Sequence, residues 1–332
     1  MFHRRLISCA ALRAAIRLAA LVVLVLGLQS GGGAARSPSH PNPMAEPMIF
    51  AIVRSVDPAC EPSCPEWIQA EGRIVPQTVA AFKRILAKAG DRKLPLLIAS
   101  PGGSVDHAIE LGRIIRKRRM NVEVAHTRYL DCTPRDKRCA SDRNGHFYRG
   151  YALTIGAFCW SACPLVLAGG IRRIAANTTH TGVHQITTVR ERYQLQYRVK
   201  YRLVGGRKRV LDRKVISRKR VSVTTTTRLS KATRRMLIAY FNEMTIKRDM
   251  LDLMLSTPPE SIRRLTYAEM ADLGLVSEPA LLEILVRPQL CLDEKPAENC
   301  ILRGTPKPGA AGSRVPVPSV PGPAGNAPAA RR

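Results

Sequence analysis

Between Ile68 and Ala125 the apolar pattern switches period several times, and no other property of the chain constrains its fold as tightly. Ile68-Gln-Ala-Glu-Gly-Arg-Ile74 alternates as a strand does, Pro76 to Ala89 sets Val79, Phe82, Ile85 and Leu86 at helical spacing, and Leu94 to Ala99 is a continuous apolar run. Strand, helix, strand over this length requires a crossover, which makes the two strands parallel in one sheet. Asp106 to Arg119 repeats the helical period, Asn121 to Ala125 reads as a further strand, and Met48 to Val53 supplies one before the series. The expected class is α/β, a single domain over about 48–302, and a hydrophobic content of 45% is enough for its core.

The two ends of the chain read differently. Arg4, Arg5, Arg13 and Arg17 precede the apolar run Leu18 to Leu28, and Gly31-Gly-Gly-Ala-Ala35 follows, the layout of a secretory signal peptide over 1–35. A run of this length is short for a spanning helix, so an uncleaved anchor to the inner membrane is the alternative to export. Residues 36–47 form a Pro-rich linker, and the Pro, Ala and Gly-rich stretch 303–332 is expected to be disordered.

Cysteine usage agrees with an oxidising, periplasmic destination. Beyond Cys9, eight cysteines stand as four sequence-local pairs: Cys60 with Cys64, Cys132 with Cys139, Cys159 with Cys163, and Cys291 with Cys300. A structural zinc site is the rival reading, although the spacings lack a repeated Cys-x-x-Cys pattern.

Three stretches carry chemistry. Ser100-Pro-Gly-Gly-Ser-Val105 follows an apolar strand and opens a helix, and its glycines let backbone N–H groups approach a ligand; an ordinary tight turn is the plainer reading. Gly156-Ala-Phe-Cys-Trp-Ser161-Ala-Cys-Pro-Leu-Val-Leu-Ala-Gly-Gly170 presents a serine at a strand-to-helix turn, where Ser161 is either a nucleophile or a helix cap. Thr181-Gly-Val-His184-Gln185 is a short strand ending in a histidine whose near-neutral pKa suits a general base. His180 and His184 do not make a metal pair, because four residues of strand span about 13 Å. A Cys-His pair using Cys159 or Cys163 is a further chemical possibility, as is a disulfide bracing the turn.

In this order and spacing the three stretches resemble the proteolytic subunit of the Clp protease within the Clp-peptidase and crotonase superfamily, and more closely its exported bacterial relatives, in which cysteines flank the serine. The resemblance covers residues 66 to 185 well and 229 to 277 loosely. It implies a fold of repeated ββα units, Ser161 as nucleophile, His184 as base, and an oxyanion hole made by the N–H groups of Gly103 and Ala162. It implies no cofactor and no metal, with peptides or unfolded proteins as substrates. An ATPase partner is not expected in a compartment without ATP. The family's aspartate position, ahead of Leu265-Thr-Tyr-Ala-Glu-Met-Ala-Asp-Leu-Gly-Leu-Val276, is occupied by Ile262. Glu260 or Asp252 could replace the missing carboxylate, or a backbone carbonyl could hold His184 in a dyad.

Residues 190 to 235 hold 17 lysines and arginines against Glu191 and Asp212 alone. Tyr193, Leu195, Tyr197, Val199, Tyr201 and Leu203 recur at every second position and Gly205-Gly206 supplies a turn, so a basic β-hairpin is expected at about 190–225. The resemblance puts there the handle through which subunits pair, and so implies a homo-oligomer. An anionic membrane surface is the alternative partner and a merely solvated hairpin the plainest reading, while nucleic acid does not fit an exported protein. Leu229 to Leu255 reads as one long amphipathic helix. The whole admits two functions: an exported serine hydrolase, or a weakly active or inactive scaffold that binds through the hairpin.

Overall fold

Alternate residues of the central strands feed two cores, one on each face of a mixed sheet, and this is why the strand at Leu96–Ala99 is apolar throughout. The computed structural model describes residues 45–136, 138–139 and 147–303. The leader at 1–35, most of the linker and all but Arg303 of the tail at 303–332 lie outside the described residues.

The main sheet runs through β1 (Ile49–Ser55), β2 (Ser63–Glu71), β3 (Leu96–Ala99), β4 (Val122–Val124) and β8 (Arg173–Ile174), the last four mutually parallel. Helix α1 (Thr78–Ala89) connects β2 to β3 and α2 (Val105–Lys117) connects β3 to β4, the crossovers anticipated from the period changes. On the helix side Ile52, Ile68, Leu96, Ile98 and Val124 pack with Phe82, Ile109 and Leu111. On the other side Ala51, Val53, Trp67 and Leu97 meet Leu285 and Val286, which the C-terminal segment lays across the sheet. Buried Glu123 holds that segment by accepting hydrogen bonds from the Ile284 and Leu285 N–H groups at 2.9 and 3.1 Å.

Two segments depart from the sequence reading. Beyond the strand expected at Asn121 to Ala125, β5 (His126–Tyr129) and β6 (Tyr148–Leu153) run antiparallel, and β6 joins β1 in parallel with Val53 opposite Tyr148. The helix expected from Leu229 to Leu255 is two helices, α4 (Lys231–Met244) and α5 (Asp249–Ser256). It breaks because Thr245 adopts a left-handed conformation at φ 57°, which buries Ile246 and lets the Lys247 N–H reach the Leu273 carbonyl at 3.0 Å.

A second, small sheet holds β7 (Phe158–Trp160), β9 (His180–Val183) and β12 (Arg263–Arg264), with β9 in the middle. The hairpin consists of β10 (Thr188–Val204) and β11 (Arg207–Thr226), which among the described residues pair only with each other. Gly205 and Gly206 turn the chain at φ 58° and 77°, a geometry other residues seldom adopt twice in succession. All four cysteine pairs form disulfides, with Cα separations of 4.8 to 5.7 Å. Four disulfides fit an oxidising compartment. Among the described residues no helix is long and apolar enough to cross a membrane.

Candidate active site

Ser161 sits at a turn that the sequence over-determines from three sides. It follows β7, whose Cys159 is fully buried and bonded to Cys163, the first residue of helix α3 (Cys163–Ala168). The disulfide therefore spans the serine. Ser161 has φ 61°, an uncommon conformation for a residue with a Cβ, which persists only where the surroundings hold it. Its N–H donates to the Gly182 carbonyl of β9 at 2.9 Å, and the neighbouring Trp160 N–H donates to the Ser100 carbonyl at 2.9 Å. Helix α3 is capped by Ala162 without any side-chain cap bond, so Ser161 does not act as its N-cap.

The hydroxyl is directed elsewhere. Nε2 of His184, the residue that follows β9, lies 2.7 Å from Ser161 Oγ. Because β9 lies parallel to β7 with Trp160 opposite Gly182, the chain leaving each strand brings the serine and the histidine together. Burial holds the His184 pKa below the ordinary imidazole value. The Gln185 backbone pushes weakly the other way, but Nδ1 is buried and makes no hydrogen bond of normal geometry.

The Gly102-Gly103 loop completes the site. Ser100 Oγ donates to the Gly72 carbonyl at 2.7 Å and accepts from the Gly102 N–H at 3.1 Å, fixing the loop at the end of β3. A Cβ on Gly102, whose φ is 90°, would lie 2.6 Å from Ser161 Cβ and 2.7 Å from Ala162 N. Gly103 is exposed next to it, and its own missing Cβ makes room for the Ile74 carbonyl. Among the described residues no backbone carbonyl accepts from the N–H of Gly103 or Ala162. The structure thus brings Ser161 and His184 together, with Ala162 next in the chain and Gly102, beside Gly103, packed against the serine turn. Sequence reasoning missed Gly102 as the point of closest approach and Ser100 as the anchor; the Ser-Pro-Gly-Gly stretch named the loop but not which residue touched what.

Glu260 and Asp252 are not brought to His184. Both are exposed, and the orphaned Nδ1 has neither as a partner. The reason lies in the register: β12 pairs Arg263 with Val183, so the position opposite His184 belongs to Ile262, whose Cγ2 rests over Gly182. Glu260 is two residues further out, and Asp252 is on α5 in a surface cleft with Asp249, Glu269 and Asp272. Cys159 and Cys163 are consumed in their disulfide and offer no thiolate, either to a substrate or to zinc. No group of three or more His, Cys, Asp or Glu side chains that could hold a metal occurs among the described residues.

No protein-family model matches the chain. No curated protein matches it either. Among solved structures, it is similar to a mutant of a membrane-bound stomatin-specific protease, with 15% identity and a TM-score of 0.35, over 65% of this chain and 77% of that one. A likeness of that size leaves function to be read from this chain's own residues.

Proposed function

We propose that the chain is an exported serine hydrolase, and within that class a peptidase acting on short or unfolded polypeptides. The reading rests on the 2.7 Å contact between Ser161 Oγ and His184 Nε2 at a positive-φ strand-to-helix turn. Neutral His184 takes the proton as Oγ attacks a carbonyl carbon, and the resulting imidazolium returns it to the leaving amine. Charge that develops on the carbonyl oxygen is met by the N–H groups of Gly103 and Ala162, and loss of one such donor typically costs about 10²- to 10³-fold in rate. Water then releases the acyl group by the same steps in reverse. The chemistry calls for no cofactor. The resemblance to Clp peptidases also supports a homo-oligomer, and the leader-like N-terminus with four disulfides supports a periplasmic location.

The unpartnered Nδ1 of His184 favours a second reading, a weakly active scaffold, because a base without an orienting acceptor is a poor one. Reaction with a fluorophosphonate probe separates the two. The hydrolase reading expects covalent labelling that is lost in both Ser161→Ala and His184→Ala. A folded wild-type chain that stays unlabelled supports the scaffold.

A further inference from the structure

The hairpin is built on a repeat that alternation alone does not reveal. Its register shifts three times, between Arg192 and Tyr193, Gln196 and Tyr197, and Lys200 and Tyr201. Each shift leaves one residue of β11 unpaired, and these are Val221, Ile216 and Leu211, so four residues of β10 advance against five of β11. Such bulges add twist and leave extra side chains on the strand that carries them. Here they also align cations with rings: Arg218 stands over Tyr193 at 3.6 Å, Arg213 over Tyr197 at 3.6 Å, and Lys208 over Tyr201 at 4.8 Å. The tyrosines recur every four residues and their cations every five.

Between these stacked pairs the same face exposes hydrocarbon. Leu195, Val199 and Leu203 alternate with the tyrosines and are 39%, 41% and 62% exposed. The strands of 17 and 20 residues make an arm about 55 Å long, and among the described residues no third strand pairs with it. A two-stranded ribbon with an uncovered apolar face is marginal by itself in water. Thirteen lysines and arginines stand on the two faces of the hairpin between Thr188 and Thr226, with Arg220, Arg218, Arg213 and Lys208 opposite residues on the tyrosine-bearing face of β10, against two carboxylates that both face cations: Glu191 bonds Arg220 and Asp212 lies opposite Lys200.

We propose that this face is a docking surface for an anionic phospholipid bilayer. A guanidinium over a tyrosine ring can still turn its N–H edges to a phosphate, and tyrosine is at home where hydrocarbon meets headgroup. The occupant is not a second copy of the hairpin, because two surfaces of this charge repel when juxtaposed. A soluble polyanion would satisfy the cations but leave Leu195, Val199 and Leu203 in water. The inference is independent of the hydrolase reading.

The test uses the full chain with Tyr197→Trp as a local reporter, mixed with vesicles of phosphatidylglycerol in phosphatidylcholine or of phosphatidylcholine alone. The expected result is a blue-shifted emission from position 197 and at least about tenfold tighter binding to the anionic vesicles. Exchanging Arg213 and Arg218 for Gln should reduce binding, and so should exchanging Leu195, Val199 and Leu203 for Ser, which leaves the charge unchanged; circular dichroism checks that each variant stays folded. Equal affinity for both vesicles overturns the proposal. So does a shift elicited only by a soluble sulfated polysaccharide, or one that appears only on concentration-dependent self-association without lipid.

Discussion

Nε2 of His184 lies 2.7 Å from Oγ of Ser161, while Nδ1 of the same ring is buried and unpartnered. The first contact provides a proton acceptor; the second leaves the imidazole without a well-formed hydrogen bond to fix its tautomer, and the Gln185 backbone favours its cation less than burial opposes it. On the proposed hydrolase reading, reactivity and its weakness have one source.

The acid limb of that reactivity is displaced. Burial lowers the His184 pKa from 6.5, so the ring stays neutral, and competent as a base, at pH values where an ordinary histidine is already protonated. The rate of fluorophosphonate labelling should fall as pH falls, with a midpoint below 6.5. A midpoint at or above the ordinary value would show that burial does not govern the base.

Gly102 should be the least replaceable residue of the loop. A Cβ there collides with the Ser161 turn at 2.6 Å and meets Ala162 N at 2.7 Å, and relief requires the turn or the loop to move. Gly102→Ala is expected to slow labelling by at least about 10²-fold, the scale of one lost oxyanion donor, while the chain still melts cooperatively. Retained labelling would mean that the loop yields without disturbing the serine.

The Cys159–Cys163 disulfide braces the turn rather than reacting. Closing so short a loop is worth about 2 kcal/mol through the unfolded chain. Replacing both residues with Ala should cost about that much in a thermal melt and should also slow labelling, since φ 61° at Ser161 then lacks its covalent brace. A stability loss with undiminished labelling would confine the bridge to a structural role.

What could be read before folding follows from how locally each feature is encoded. The crossovers were legible because Val79, Phe82, Ile85 and Leu86 share one helix face, which is indeed buried. The contact of Ser161 with His184 was suggested because each residue directly follows a short strand. Glu260 makes no hydrogen bond to His184, since what lies opposite that histidine is decided by the pairing of β12 with β9, a non-local register that spacing along the chain does not carry. The break at Thr245 was invisible for a similar reason: it is held by the Leu273 carbonyl from a later segment. In the hairpin, alternation revealed the strands but not the bulges, although tyrosines every four residues facing cations every five were present in the sequence all along.

Ile262 offers the sharpest test of the dyad. The residue opposite His184 in the extended register is 39% exposed, so a carboxylate placed there is not forced into the core. Ile262→Asp supplies the acceptor that Nδ1 lacks and should fix the imidazole with Nε2 toward Ser161 Oγ. Loss of the orienting aspartate from a complete triad costs about 10⁴-fold in turnover, and this is an upper bound on the gain. The new carboxylate also favours the imidazolium, so the acid limb of the labelling profile should move to higher pH than in the wild type. An increase in rate together with that shift means that Ser161 and His184 already hold reactive geometry and lack only the third group. A rate that stays flat while the acid limb moves means that the histidine was not the limiting element, and the proposed oxyanion donors, the N–H groups of Gly103 and Ala162, then become the place to look.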